Sequence, residues 1–281
     1  MVLISFDGPV NQANHEFFTE TFDARLNPNR CPVKVSFFVS DHGNDYKLTQ
    51  KLHRKGHEIA VRSLAPDQTH GYWKNISYLD LVKDVIGLKL KLTLNGINHV
   101  TGYRAPFHQS AGDTTFAALQ EYGFEYDSSL PIRSKEKQWW PFTMDSGIHS
   151  FDCLSPPCPK YSYPGLWELP LTSLSDGEES CRTYQSCTNY VQTSDGFYDF
   201  LMKNFFRLYQ GNKAPLTLAG TASWLMSPSH PYRRQGFMKF LNHIGSFKDV
   251  YVVSGSQALD WIRSPVSSEK KIADRLKSWS C

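Results

Sequence analysis

The chain lacks any apolar run near the roughly 18 residues that a membrane-spanning helix needs, and no series of alternating strands reads as a porin hairpin. A soluble protein is therefore expected. It also lacks a bias of charge: 30 Lys and Arg stand against 27 Asp and Glu in 281 residues, a net charge of +3, with the two signs interspersed. No basic face for nucleic acid follows from that distribution, and a neutral polymer suits such a surface better. Internal repeats and low-complexity tracts are missing as well. No charged and then apolar leader precedes the first strand pattern, which starts at Val2, so a targeting segment is expected to have been removed already.

What is present begins with six cysteines, Cys31, Cys153, Cys158, Cys181, Cys187 and Cys281. They stand beside Pro, Ser or Asn rather than in ligand-like pairs, and the stretch from Cys153 to Cys187 holds no histidine. Disulfides are thus expected over free thiols or a zinc cluster, and with them a secreted, extracellular setting. Short loops Cys153 to Cys158 and Cys181 to Cys187, with Cys281 closed onto Cys31, form one of about 15 possible pairings. Asn75-Ile76-Ser77 is a glycosylation acceptor triplet.

Short β-branched and aromatic runs alternate with amphipathic stretches, the sequence form of a mostly parallel sheet wrapped by helices. Strands are expected over Val2–Asp7, Lys34–Ser40, Glu58–Arg62, Val100–Arg104, Phe124–Ser128, Trp167–Leu171, Leu216–Gly220 and Val250–Ser254. Helices are expected over Tyr46–Lys55, Tyr78–Leu94, Thr114–Tyr122, Gly196–Tyr209, Pro231–Ile244 and Gln257–Ile262. For the second of these, Ser77 followed by Asp80 predicts an N-cap, with Leu79, Val82, Val85, Ile86 and Leu90 as the apolar face. From about 130 to 194 the rhythm gives way to Pro, Ser, Gly and Cys, read as disulfide-pinned loops forming one wall of a groove. A single α/β domain over 1–281 is expected, with a tail over 264–281 tied back by Cys281. Pattern alone leaves the sheet open or closed.

Four short motifs narrow this reading: Ser5-Phe6-Asp7-Gly8, Gly56-His57-Glu58-Ile59-Ala60, Gly102-Tyr103-Arg104-Ala105-Pro106-Phe107, and Ala222-Ser223-Trp224. Together they resemble the polysaccharide deacetylase family, specifically its arthropod gut-type chitin deacetylase-like branch. The resemblance runs from Ser5 to Trp261 and implies an irregular (β/α) barrel whose site lies at the C-terminal ends of the strands. Asp7, Arg62, Arg104 and Thr221 all fall where the expected strands end.

Hydrolysis of an N-acetyl group needs an activated water, a base, a charge for the oxyanion and an acid for the leaving amine. The family implies an Asp-Asp first motif, base then metal ligand, which aligns with Asp7 and Gly8. Its H-S-x-x-H motif implies two more ligands, which align with Arg62 and Pro66. Glycine and proline offer no donor and arginine stays protonated, so the zinc or cobalt that the resemblance implies is expected to have lost its ligands. A histidine that acts as general acid in the family aligns with Thr221, which cannot exchange a proton near neutral pH. Asp7 and Arg104 are retained at family catalytic positions. In the absence of a metal, Asp7 is expected to pair with Arg62 or Arg104, the alternative being an Arg62 that points to solvent. Substitute ligands at His70, Asp67, His57 or His108 are disfavoured; strand alternation puts His57 opposite Arg62, and His108 has no assigned role.

Aromatic rings stack on pyranose faces, which makes Tyr103, Phe107, Trp139, Trp140 and Trp224 candidate sugar-binding residues, with Trp73 and Tyr232 further out. Core packing is the competing reading, evenly weighted for Trp224. The resemblance implies chitin or chito-oligosaccharide as partner and the gut lumen or peritrophic matrix as setting. The expected function is therefore a monomeric chitin-binding, chitin deacetylase-like protein with no cofactor and little or no activity. The alternatives are a working deacetylase with a non-standard metal site or Asp7 as base and Arg62 as electrophile, and a structural protein whose ligand is another protein.

Overall fold

The computed structural model describes residues 1–66, 68–131, 138–147, 153–177 and 180–265. Its centre is β1 (Val2–Asp7), where Val2, Leu3, Ile4 and Phe6 are apolar and buried because both faces are covered. Helix α1 (Gln12–Phe22) follows, and then β2 (Ser36–Ser40), α2 (Tyr46–Arg54), β3 (Glu58–Ser63), α3 (His70–Asn75), α4 (Tyr78–Leu94) and β4 (Gly102–Tyr103). After a 3-10 turn over Pro106–His108 come α5 (Asp113–Glu121), β5 (Tyr126–Asp127), β6 (Phe142–Met144), β7 (Tyr163–Glu168), β8 (Leu174–Ser175) and β9 (Ser180–Cys181). The chain continues through α6 (Ser194–Tyr209), β10 (Leu216–Gly220), α7 (Ala222–Leu225), α8 (Tyr232–Ile244) and α9 (Gly255–Arg263).

Eight strands form one sheet in the order β10-β1-β2-β3-β4-β5-β7-β6, parallel except for β6, and the sheet curls into a half-barrel. The α/β class and the irregular barrel expected from the sequence are what is observed. Inside the curl, Leu3, Phe38, Ala60, Tyr126 and Leu169 pack on Val253, Ala258 and Leu259, so α9 and the segment before it plug the concave face. Glu58 accepts from Ser36 Oγ at 2.6 Å and from the Ser256 backbone N–H at 3.3 Å, fixing the N-terminus of α9 with a carboxylate. The convex face carries the larger core, with Ile4, Phe6, Phe37, Ile59 and Val61 under the helices.

Two expectations are corrected, and beyond these helices α1, α3 and α7 were not expected. Val250–Ser254 is no full strand; it contributes a single parallel bridge, Val2 to Val252. The buried face of α4 is Leu81, Val85, Leu88 and Leu92, while Leu79 and Leu90 are exposed. That face still repeats at helical spacing; the neighbouring apolar stripe lies one turn-angle away. The Ser77 cap is as expected, with Oγ accepting from the Asp80 N–H at 3.2 Å.

The Cys153–Cys158 and Cys181–Cys187 disulfides are present, with Cα separations of 6.1 and 5.4 Å. Cys281, and with it the pairing to Cys31, lies outside the described residues, as do Asp67 and the tail beyond 265. Among the described residues no helix is long and apolar enough to cross a membrane.

Candidate functional site

The C-terminal ends of β1, β3, β4 and β10 converge. Asp7 ends β1, and its neighbour Phe6 lies in register with Gly220 of β10. Arg104 follows β4 and is fully buried. Its guanidinium is held on every side: Nε donates to the Ser128 carbonyl at 2.9 Å, Nη2 to Ser128 Oγ at 2.9 Å, and Nη1 to Ser5 Oγ at 2.8 Å. Its plane covers the Phe38 ring at 3.8 Å. The remaining direction points at Asp7, with Nη1 2.9 Å from Oδ1. A further layer fixes this strand end: Asp127 accepts from Ser129 N–H at 2.8 Å and from Ser129 Oγ at 2.6 Å, and that hydroxyl accepts from the Ala105 N–H at 2.7 Å. Burial pushes the carboxyls of Asp127 and of Glu168 upward, that of Glu168 strongly.

The ion pair of Asp7 is therefore with Arg104 and not with Arg62. Burial alone would raise the Asp7 carboxyl, but Arg104, His108 and Arg62 outweigh it and hold the group well below the usual carboxylate range. Arg62, one residue before the end of β3, is half-buried and donates from Nη1 to Ser40 Oγ at 2.9 Å; its Nε is buried with no hydrogen-bond partner. It does not swing out to solvent.

His108 was the residue that sequence reasoning left without a role. Its Nε2 lies 3.3 Å from Asp7 Oδ2, a contact poorly aligned for a hydrogen bond, so that nitrogen has no hydrogen-bonding partner. Phe107 and His108 both take left-handed backbone conformations, φ 57° and 54°, and this double reversal turns the imidazole back onto β1. Burial lowers the His108 pKa, an effect that Asp7 only partly opposes.

Thr221 is tied down rather than presented to a substrate: its N–H and hydroxyl both donate to Gln185 Oε1, at 2.9 and 3.1 Å. Tyr184, fully buried beneath it, donates to the Thr221 carbonyl at 3.3 Å. His57 is buried on the convex face, opposite Arg62, where Nδ1 accepts from the Val35 N–H at 3.3 Å; burial lowers its pKa to about 4.

The aromatic candidates separate. Phe107 is 50% exposed at the mouth of the site, near His70 at 6.2 Å between ring centroids. Tyr103 is buried in the convex core against Phe124 and does not face the site, whereas Trp73, though almost fully buried, lines the cavity beside Arg62. The alternation that turns Arg104 inward turns Tyr103 outward, a consequence of strand geometry. Trp140 donates from Nε1 to the Asn212 carbonyl at 3.2 Å and stacks on Trp261 of α9. Asn212 precedes β10, so Trp140 sits where that strand begins, whereas Asp7 sits where it ends. Trp139 is 40% exposed beside Phe142, and Trp224 is half-buried between Tyr184, Phe197 and the Arg233 guanidinium at 4.1 Å.

A zinc ion does not fit this donor set. At the positions where the resemblance implies ligands, Gly8 has no side chain, Pro66 has no donor, and Arg62 brings a fixed positive charge. Among the described residues the one convergent group of potential ligands is Asp176, Cys181 and Cys187, whose two sulfurs are already joined as a disulfide.

The half-barrel with its site at the strand ends is the polysaccharide deacetylase fold. A crystal structure of a protein described as a polysaccharide deacetylase from Mycobacterium smegmatis matches it with a TM-score of 0.57, covering 96% of this chain and 93% of that one at 20% identity. No family model matches the sequence. Chitin deacetylase 8 of Bombyx mori is 30% identical over 276 residues, 96% of this chain and 72% of the relative. Chitin deacetylase 1 of Bombyx mori is 33% identical over 279 residues, 94% of this chain but 51% of the relative, so the chain spans about half the length of that protein. The chain belongs to the chitin deacetylase family of polysaccharide deacetylases.

Proposed function

We propose that this protein binds chitin or chito-oligosaccharides at the C-terminal ends of its strands, as a secreted monomer of the gut lumen or peritrophic matrix, and that it has lost deacetylase activity. The observation that carries the loss is the set Gly8, Arg62 and Pro66 around a carboxylate already neutralised by Arg104 at 2.9 Å. The family relationship and the exposed ring of Phe107 support a sugar ligand. The two disulfides and the insect relatives agree with an extracellular protein.

A metal-free hydrolase using Asp7 as base is the weaker reading. A general base works best with a pKa near the working pH, and the Arg104 pair holds Asp7 far below it. Titration with chitotetraose by calorimetry, with acetate release followed in parallel, tests the proposal. Saturable binding without acetate supports it; acetate release that a chelator abolishes removes the claim of lost activity, and no binding removes the claim of a sugar ligand.

A further inference from the structure

We propose that the cavity opened by the missing ligand side chains is a carboxylate-binding pocket with Arg62 as its anchor, suited to the acidic group of a uronic acid or a small free carboxylate. This goes beyond the sugar-binding reading and does not rest on it.

The cavity measures about 180 Å³ and is lined by Gly8, Ser40, His42, Arg62, Gln68 and Phe107 among others. Room of that size admits several waters' volume, at about 30 Å³ each in the liquid, and so a carboxylate with part of the group that bears it. Gly8 supplies part of the room: a Cβ built on it would meet no atom within 4 Å. The side chains that line it offer donors. Arg62 presents a guanidinium fork, of which Ser40 takes one arm at 2.9 Å while the buried Nε remains without a partner. His42 and Gln68 add an imidazole and an amide at the rim.

Charge argues the same way. Asp7 feels the charge of Arg62, but its oxygens face Arg104 and His108, at 2.9 and 3.3 Å. Asp84 also feels it, yet accepts from the Ala65 N–H at 2.6 Å instead. Among the described residues Arg62 has no carboxylate within ion-pair distance. A half-buried guanidinium that lines a concave site, with one arm on Ser40 and no carboxylate of the described residues beside it, is an arrangement that recognises a planar oxyanion by charge-assisted hydrogen bonds; the buried Nε is not among the donors that face the cavity.

The test is binding of D-glucuronate, acetate and neutral N-acetylglucosamine to the full chain, read by calorimetry and by shifts of the Arg62 Nε and His42 ring NMR signals. Expected are saturable binding of glucuronate that weakens with salt, and a loss of about tenfold or more in Arg62→Gln, as for the removal of a charged hydrogen bond. His42→Ala, an exposed change that leaves folding alone, should weaken it two- to threefold, by roughly the worth of one rim contact. Acetate matching glucuronate would assign the recognition to the carboxylate alone, and glucuronate binding tighter would extend it to the sugar ring; either supports the pocket. Failure of both carboxylates to bind, equal affinity in a folded Arg62→Gln, or equal binding of the neutral sugar in the same cavity would overturn it. Chitotetraose binding, or its absence, leaves this result untouched.

Discussion

Replacing Arg104 with leucine probes the pair on which the site is built. The guanidinium is fully buried and makes hydrogen bonds to Ser128 twice, to Ser5 and to Asp7, and the Asp7 side chain is only 10% exposed. Leucine would fill much of the volume but leave a carboxylate in a poorly solvated place with His108 as its remaining neighbour. Breaking a buried pair from one side costs about 3–5 kcal/mol. Asp7→Asn keeps a polar partner and removes the charge, so a smaller loss of about 1–3 kcal/mol is expected. If the two groups act as a unit, the double variant should lose less than the sum of the singles, by roughly 0.5–3 kcal/mol. The dependence on pH follows from the Asp7 carboxyl. In the native protein its pKa is depressed, so its stabilisation is present above the unfolded value of about 3.9 and is lost as pH falls through the folded value. In Arg104→Leu burial is no longer outweighed, the carboxyl is raised, and the penalty is full at high pH and shrinks as pH falls through the raised value. Urea denaturation between about pH 8 and pH 5 should therefore show a gap that narrows on acidification. A gap below about 1 kcal/mol that stays flat over that range would refute the reasoning.

Other outcomes follow from the same geometry. Burial depresses His108, so by NMR its ring should titrate below the ordinary value of about 6.5, and lower still in Asp7→Asn, because Asp7 opposes the depression; its contribution to stability is present above the unfolded value and lost as pH falls. A midpoint above the ordinary value would contradict the burial of the ring beside Arg104. Phe107→Ala should weaken chito-oligosaccharide binding several-fold, at about 1 kcal/mol or more for a stacked ring, whereas Trp140→Ala should leave it unchanged. The reverse order would put the sugar on the other end of the sheet. Restoring the family ligands together, as Gly8→Asp, Arg62→His and Pro66→His, should produce a melting temperature that rises with zinc and falls with chelator. The metal-free form should lose about 1–3 kcal/mol, because φ at Gly8 is +114°, a conformation that side chains resist. A melting temperature indifferent to zinc would mean that the alignment of these positions is wrong.

The central strands were legible because parallel strands covered on both faces leave long apolar runs, as in Val2–Asp7 and Leu216–Gly220. Helix α1 was not, although Phe17, Phe18 and Phe22 face the core; its capping box uses Asn11 with Asn14, where the recognised signal has Glu or Gln. The segment at Val250–Ser254 carries a strand's composition because Val250 and Val252 are buried in the larger core and Val253 inside the curl, while it bridges β1 at Val2 alone. In the site, the pair of Asp7 with Arg104 was one of the two alternatives read from the motifs, and Tyr103 was misplaced by ignoring the alternation that its neighbour Arg104 fixes. His108 left no signal in composition, since its direction comes from two successive left-handed residues that local preference disfavours. Trp140 could not be placed by sequence because its contacts, Asn212 and Trp261, are remote along the chain.

The most direct test of the proposed loss of the metal centre is a zinc titration of the chelator-treated native chain by calorimetry at neutral pH, with Asp7→Asn alongside. That proposal, with Gly8, Arg62 and Pro66 at the positions where the resemblance implies ligands, predicts no stoichiometric uptake and identical traces for the two proteins. One zinc per chain bound at sub-micromolar affinity, and lost in Asp7→Asn, would contradict the account.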